Sequence, residues 1–565
     1  MKANSEKTKQ KKATRRVLAG VLCGASVLSL VLSLVMPPIS QAIANDTQTD
    51  STEETVMGGG SSSESTDVDN ATNGDTENQN SDETEGDEAG DDALGTAPLS
   101  DDTEAESAAQ PADDGQSVYK VATVANEGEV PGLQKDQDGY TLLTSDGDLT
   151  TYLNAPTKPD KLRLAADISS SESITIRQNT TIDLAGYKLY YPAGDNDTFI
   201  TVESGALTVE DSVKPSDKTS TDNDNNPGRA AAMTWDTNNN GTLTYYVTTS
   251  MPSEGGLCTT ETTTKHVVSG FGAIVAASGS GSVKQVISVA NGGTLNLNGG
   301  MITTPRDLAG DGHIILAVGN SNETQVNING GFITGANLNQ QRGGWGGVLC
   351  VVGAKVTVNM TDGVIAANKA ASGGGIYAVD AKLNLSGGVI SGNATYSDSD
   401  GLGGGILVSG GSVAVSGGYI TNNKYAKFCG KDGRGDHGGA GLAANNGAHV
   451  TISGGRITGN YSEEAGGGVY ITDVGRNDQP REGMAWLHIT GGIIASNVSN
   501  RSEGAGVRVG QMVDAMISGT QDSKVYITHN RCMSRFDWGG GGIFVQGNSN
   551  AGKEKTAGRL FVYNS

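Results

Sequence analysis

Isoleucine followed three residues later by asparagine recurs six times in the second half of this 565-residue chain, at Ile365/Asn368, Ile390/Asn393, Ile420/Asn423, Ile457/Asn460, Ile494/Asn497 and Ile527/Asn530. The pairs are 25 to 37 residues apart, and the units carry Gly-Gly and a glycine-rich run. Such a unit cannot bury its own apolar face and must stack on its neighbours. Composition points the same way: 83 glycines and a hydrophobic content of 36% disfavour a helical globule.

Residues 1–44 read as an export signal. A basic head (Lys2 to Arg16) precedes an apolar run (Val17 to Val35), then Pro37-Pro38 and a small-residue cleavage site at Ala42-Ile43-Ala44. The run is also long enough for an uncleaved anchor, but the cleavage site follows at the right distance, so no membrane span is expected after processing. Residues 45–117 form an acidic, low-complexity linker. From Asn45 to Gln116 it has no lysine or arginine, and it carries most of the net charge of -24. Too little apolar surface and too much like charge predict an extended, disordered spacer. Calcium is the one cofactor this segment suggests, and weakly, since free carboxylates without a rigid loop hold that ion poorly.

Residues 118–210 are expected to cap and begin the repeat stack, with short alternating strands such as Ser173-Ile174-Thr175-Ile176 and Thr181-Ile182-Asp183-Leu184. Residues 211–282 read as an irregular insertion with some strand near Leu243 to Thr248. From 283 to 565 the repeats align as three short strands each. The first includes Val348-Leu349-Cys350, Ile376-Tyr377-Ala378 and Val469-Tyr470-Ile471. The second includes Val326-Asn327-Ile328, Val356-Thr357-Val358 and Leu383-Asn384-Leu385. The third places Ile302, Ile333, Ile365 and their equivalents inward. Alternation puts first and third columns inside and the middle column outside. Parallel stacking at about 4.8 Å per repeat then describes an all-β parallel β-helix, about 40 Å for eight coils. The asparagines Asn368, Asn393, Asn423, Asn460, Asn497 and Asn530 should form a structural ladder, tolerating the left-handed turn and bonding repeat to repeat.

Units such as SGGVISGN (386–393), SGGRITGN (453–460) and SGGGIYAV (372–379) resemble the repeats of right-handed parallel β-helix surface proteins of Gram-positive bacteria. They are also similar to the repeats of chlamydial polymorphic outer-membrane proteins, with isoleucine in place of phenylalanine. The opening LAADISSSESITI and TTIDLAGYKL resemble the entry coils of the Gram-positive group. The resemblance covers about Leu162 to Ser565 and implies a right-handed helix in a secreted or wall-attached, adhesin-like protein. The LPxTG anchor expected in that group is missing. Leu560-Phe561-Val562 fits the second strand of an incomplete coil, which predicts a native chain continuing beyond Ser565.

Repeats carry a scaffold, and function must be sought on it. Two outward rows are candidate binding surfaces. One is Met301, Phe332, Val364, Val389, Tyr419, Arg456, Ile493 and Tyr526, a mostly apolar stripe that either takes a ligand or is covered by the chain's own loops, such as Arg476 to Met484. The other is Tyr377, Tyr470 and Phe544, whose flat rings suit sugars. Arg434-Gly435-Asp436 lies in a long loop and offers a candidate integrin-type motif, although this tripeptide arises easily by chance in so glycine-rich a chain.

Polysaccharide lyases and glycosidases of pectate-lyase-like fold provide an enzymatic alternative. The same-column pair Asp380 and Asp473 lies about 14 Å apart by strand spacing, beyond the roughly 5 to 9.5 Å of paired glycosidase carboxylates. Loop residues Asp432, Asp436, His437, Asp473 and Asp478 would have to build the site instead. Cys350 reads as an inward small hydrophobe, Cys23 leaves with the signal, and Cys258, Cys429 and Cys532 fall in loops without metal-site spacing. The acidic balance excludes nucleic acid. The reading is therefore an adhesin-like protein of the bacterial surface or wall, binding host or matrix glycans or proteins and lacking a catalytic centre, with enzyme and passive stalk as alternatives.

Overall fold

The computed structural model describes residues 130–565 except 193–197, 225, 237–239, 253–258, 278–282, 291, 306, 339–345, 396–400, 427–436, 474–482, 536–538, 549–553 and 564–565. Residues 1–129, which include the segments read as export signal and acidic linker, and Arg434-Gly435-Asp436, Asp432, Asp478, Cys258 and Cys429 thus lie outside the described residues, as does Cys23. The chain is all-β with long parallel sheets.

Within the repeats, strands pair in parallel with their equivalents one repeat away. Second strands continue from Thr141–Leu143 and Lys161–Leu164 through Ser412–Val415 and Trp486–Ile489 to Arg559–Val562. Third strands run from Ile168–Ser169 and Lys188–Tyr191 to Val525–Thr528, stacking Met301 on Phe332, Val364, Val389, Tyr419, Arg456, Ile493 and Tyr526 in turn. First strands run from Ile174–Ile176 to Ile543–Val545. A repeat has a fourth strand that the sequence did not suggest, two residues long and placed after the asparagine, as in Ala394–Thr395, Lys424–Tyr425 and Tyr461–Ser462. The inward columns merge into one apolar core in which Ile365, Ile376, Leu383 and Val413 are buried. Each such side chain contributes about 1.5–3 kcal/mol.

Two registers differ from the sequence alignment. Leu349, not Val348, pairs with Ile376, so Cys350 stacks on Tyr377 in the outward column. Val326 pairs with Val358, not Val356, a slip of two that preserves the faces and stacks Asn359 between Asn327 and Asn384.

The inner asparagines form a continuous hydrogen-bonded column. Asn423 Oδ1 accepts from Asn393 N and Nδ2 at 3.1 and 3.0 Å, while Asn423 Nδ2 donates to Ile390 O at 2.9 Å and to Asn460 Oδ1 at 3.1 Å. The amide of one repeat thus satisfies the main-chain groups exposed by the bend of the repeat before it. The left-handed residue is not the ladder asparagine but its predecessor: Ala367, Gly392, Asn422, Gly459, Ser496 and His529 have φ between 53° and 64°. In the Ser-Gly-Gly units the two glycines do different work. A Cβ on Gly417 would lie 2.1 Å from Ser386 O, while Gly418 has φ of 73°.

The entry end is closed by an antiparallel pair, Gln134–Lys135 with Thr141–Leu143, and by the helix Asp146–Asn154, which buries Leu149 and Tyr152 in the core. Ser145 caps this helix by accepting from Asp148 N. The 211–282 insertion is regular, not irregular. Strands Ser216–Asp222, Thr259–Ser269, Gly241–Pro252 and Ala232–Trp235 make a four-stranded antiparallel sheet in that spatial order, and Ala273–Ala276 rejoins the stack. Alternation in Leu243, Tyr245 and Val247 buries these residues on one face.

Candidate functional site

Both outward rows proposed from sequence are largely occupied by the chain itself. The inserted sheet lies over the third-strand stripe: Leu243, Tyr245, Val247 and Val268 pack with Met301 and Val364, and Phe332, Val389 and Tyr419 are half-buried against them. Hydroxyls from successive repeats fix the central insert strand. Thr421 Oγ1 accepts from Thr248 N at 3.2 Å, Ser391 and Thr458 donate to Tyr246 O and Thr248 O, and Ser250 pairs with Ser496 at 3.0 Å. Phe332 faces Phe271 with ring centroids 6.0 Å apart, and the Arg456 guanidinium lies 5.5 Å from the Tyr419 ring centre. This sheet is the cover that the structure shows, and residues 476–482 of the loop also suggested as a cover lie outside the described residues. Tyr526, at the far end, remains half-exposed.

Tyr377 and Tyr470 are not surface rings. They are 4% and 0% exposed, in a cluster with Leu316, Cys350, Leu407 and Ala443. The glycine runs form the lid, hydrogen-bonding to one another from repeat to repeat, as Gly403 N to Gly438 O and Gly441 N to Gly467 O. They lie so close that a Cβ on Gly466 would be 2.6 Å from Tyr470 Cβ. Arg508, buried in the same column, sits 4.9 Å from the Tyr470 ring centre and donates to Glu503 Oε1 at 3.0 Å. Burial pushes the Tyr377 hydroxyl well above its usual value and the Cys350 thiol up to about 12. Phe544 is half-buried.

An accessible aromatic site exists elsewhere, where the entry helix, the stack and the inserted sheet meet. A cleft of about 540 Å³ is lined by Tyr190 and Trp235, by Asp146, Asp167 and Lys188, and by a floor that includes Val275. This volume suits a small molecule or a few sugar units. The strand Lys188–Tyr191 supplies Tyr190, which is 36% exposed, and the insert strand Ala232–Trp235 supplies the indole. Asp146 Oδ1 accepts from Ser169 N at 2.7 Å and Asp167 Oδ1 from Lys188 N at 2.8 Å, so both carboxylates are anchored to main chain. Lys188 Nζ lies 3.6 Å from Asp167 Oδ2 and 3.3 Å from Asn240 Oδ1.

No family model, curated protein or solved structure matches the chain. Chemistry must therefore be read from the residues alone. The cleft can stack a flat ring or sugar face on its aromatic groups and hydrogen-bond hydroxyls with anchored carboxylates and an ammonium.

The other sequence candidates have structural partners or stand apart. Asp473 is buried, accepting from Gly447 N at 3.2 Å and Ala485 N at 2.8 Å, whereas Asp380 is exposed in a left-handed turn. His437 is buried. Cys350 and Cys532 are free thiols. Among the described residues, no group of three or more His, Cys, Asp or Glu side chains could hold a metal ion, and no helix is long and apolar enough to cross a membrane. Sequence reasoning missed the cleft because its residues come from several segments spread between Asp146 and Pro305, none with a motif.

Proposed function

We propose that this is an exported, adhesin-like protein of the bacterial surface or cell wall, built as a right-handed parallel β-helix, that holds a saccharide in the Tyr190–Trp235 cleft. The observation that carries the reading is that Tyr190 and Trp235 line one cleft beside Asp146, Asp167 and Lys188. Repeat-to-repeat stacking supports the scaffold, and the resemblance of the Ser-Gly-Gly units to Gram-positive β-helix surface proteins supports the location. A glycan array with the full chain should give saccharide binding that Tyr190→Ala and Trp235→Ala each weaken by about tenfold or more. Binding unaffected by both substitutions removes the cleft from the reading. Release of reducing ends or unsaturated sugars would replace it with a polysaccharide-degrading enzyme, and no binding at all would favour a passive stalk.

A further inference from the structure

The outward face of the second-strand sheet carries an order that the cleft does not use. Asn296, Asn327, Asn359 and Asn384 stack in successive repeats, each Nδ2 donating to the preceding Oδ1 at 2.8 Å, and Asn296 Nδ2 donates to Thr208 Oγ1 at 3.2 Å. A parallel row continues the pattern, with Asn329 Nδ2 to Asn298 Oδ1 at 3.1 Å and Thr361 Oγ1 to Asn329 Oδ1 at 2.9 Å. Unlike the buried inner ladder, these rows are half-exposed or exposed.

A primary amide has two N–H donors and two acceptor lone pairs. The ladder uses one of each, so each inner member of the row has a second donor and a second acceptor available to solvent. The main-chain pairing holds these groups in a line with a period of about 4.8 Å. The adjoining column, Thr294, Gln325, Thr357, Lys382 and Ser412, has a single charge beside the asparagine row, while Asp362 pairs with Asn329 and the column continues past Trp486 to the Asp514–Arg559 ion pair. Further along the same face Trp486 is half-exposed between His449 and His488, at ring-centroid distances of 4.9 and 6.4 Å.

A regular row of paired donors and acceptors, with few charges of mixed sign beside it, matches an extended polymer whose units are also paired donors and acceptors, namely a chain of sugar hydroxyls. It does not match a polyanion or a charged peptide. We propose that this face binds an extended, neutral, β-linked polysaccharide lying along the asparagine rows, with the Trp486 ring stacking on one of its sugars.

The test is retention of the full chain on insoluble cellulose, chitin and xylan at low salt and at about 1 M NaCl, where exposed charge interactions are screened. The expected result is retention on at least one of these, insensitive to salt. A triple variant, Asn327→Ala with Asn359→Ala and Asn384→Ala, should lose about tenfold or more of that affinity, and Trp486→Ala should also weaken it. The sheet already accepts alanine in this column at Ala414. Thr357→Arg leaves every ladder amide in place and crowds the face, so it must also abolish retention even if the triple variant folds poorly. No retention by the wild type overturns the proposal, as does retention that survives both the triple variant and Thr357→Arg. Loss in Tyr190→Ala instead assigns the polymer to the cleft and also overturns it, and association of the chain with itself without polysaccharide retention makes the face a self-contact.

Discussion

Replacing Asn423 by alanine isolates what holds one repeat on the next. The side chain is fully buried, and its amide takes part in four side-chain hydrogen bonds, two of them with main chain: it accepts from Asn393 N and donates to Ile390 O. Alanine removes the side-chain partner of both main-chain groups inside a packed core. A buried group left unsatisfied costs about 1–3 kcal/mol, so the pair predicts about 2–6 kcal/mol. Asn359→Ala, in the half-exposed outer row, lets water replace the lost bonds and should cost less than about 1 kcal/mol. Urea unfolding followed by circular dichroism measures both variants. Because a stack of repeats can open locally, amide exchange at Asn393 should accelerate in Asn423→Ala even where global unfolding shifts less. If Asn423→Ala falls within about 0.5 kcal/mol of wild type, or the Asn393 amide keeps its protection, the bridging role is wrong.

Other expectations follow from single positions. Gly417→Ala, whose Cβ would lie 2.1 Å from Ser386 O, should lower stability by about 1–3 kcal/mol in chemical denaturation. Gly539→Ala, with open space around it, should be near neutral, and equal effects would count against the close-approach explanation. Native-state alkylation at mildly alkaline pH followed by peptide mass spectrometry should modify the partly exposed Cys532 and spare Cys350, whose burial holds its thiol near 12; native labelling of Cys350 would show that its cluster opens. Tyr461 is raised to about 12, first by burial and then by the Glu463 carboxylate beside it. The fold binds this proton more tightly than the unfolded chain does, so its contribution is complete below about pH 10 and fades as pH rises toward 12. Tyrosinate absorbance should lag behind model phenol, and melting temperature should fall across that window; a Tyr461→Phe variant that falls just as steeply would assign the loss to other groups.

The inward columns were legible because a core position admits only an aliphatic residue in each repeat, and parallel pairing lines those residues up. Phase failed where that contrast vanished. In Val348-Leu349-Cys350-Val351-Val352 both faces are apolar, because the outward one is itself covered, and a slip of one residue exchanged Cys350 with its neighbours. At Val356 to Met360 a slip of two preserved the faces, and matching Asn359 to Asn327 and Asn384 would have fixed it. The left-handed position was hidden because alanine, serine and histidine occupy it as well as glycine and asparagine. The inserted sheet was obscured by threonine-rich strands whose apolar partners, such as Met301 and Val364, lie well beyond it in sequence. Glycine runs read as turns because composition cannot show that they hydrogen-bond to one another over Tyr470.

Covering two outward faces has a consequence for where recognition can occur. An aromatic or aliphatic residue repeated in one column builds a continuous apolar strip, and such a strip needs a cover; here the chain supplies it with the inserted sheet and the glycine runs. A column of asparagine or threonine needs none, because its hydrogen bonds run along the sheet and water meets the remainder. The residues that looked most adhesive in sequence are therefore those the fold uses for its own packing. Among the described residues, the uncovered second-strand face presents amides and hydroxyls, with isolated rings such as Trp486 there and Tyr190 elsewhere, groups suited to polar, hydroxyl-rich ligands. Larger exposed apolar side chains such as Phe561 and Val562 lie in the last described strand or at single positions such as Met251 and Met533. If a ligand instead proved to be an apolar peptide, the inserted sheet would have to lift from the third-strand stripe. Substituting Thr421 with valine, which removes the acceptor for Thr248 N, should then increase the peptide's affinity; unchanged affinity would place it elsewhere.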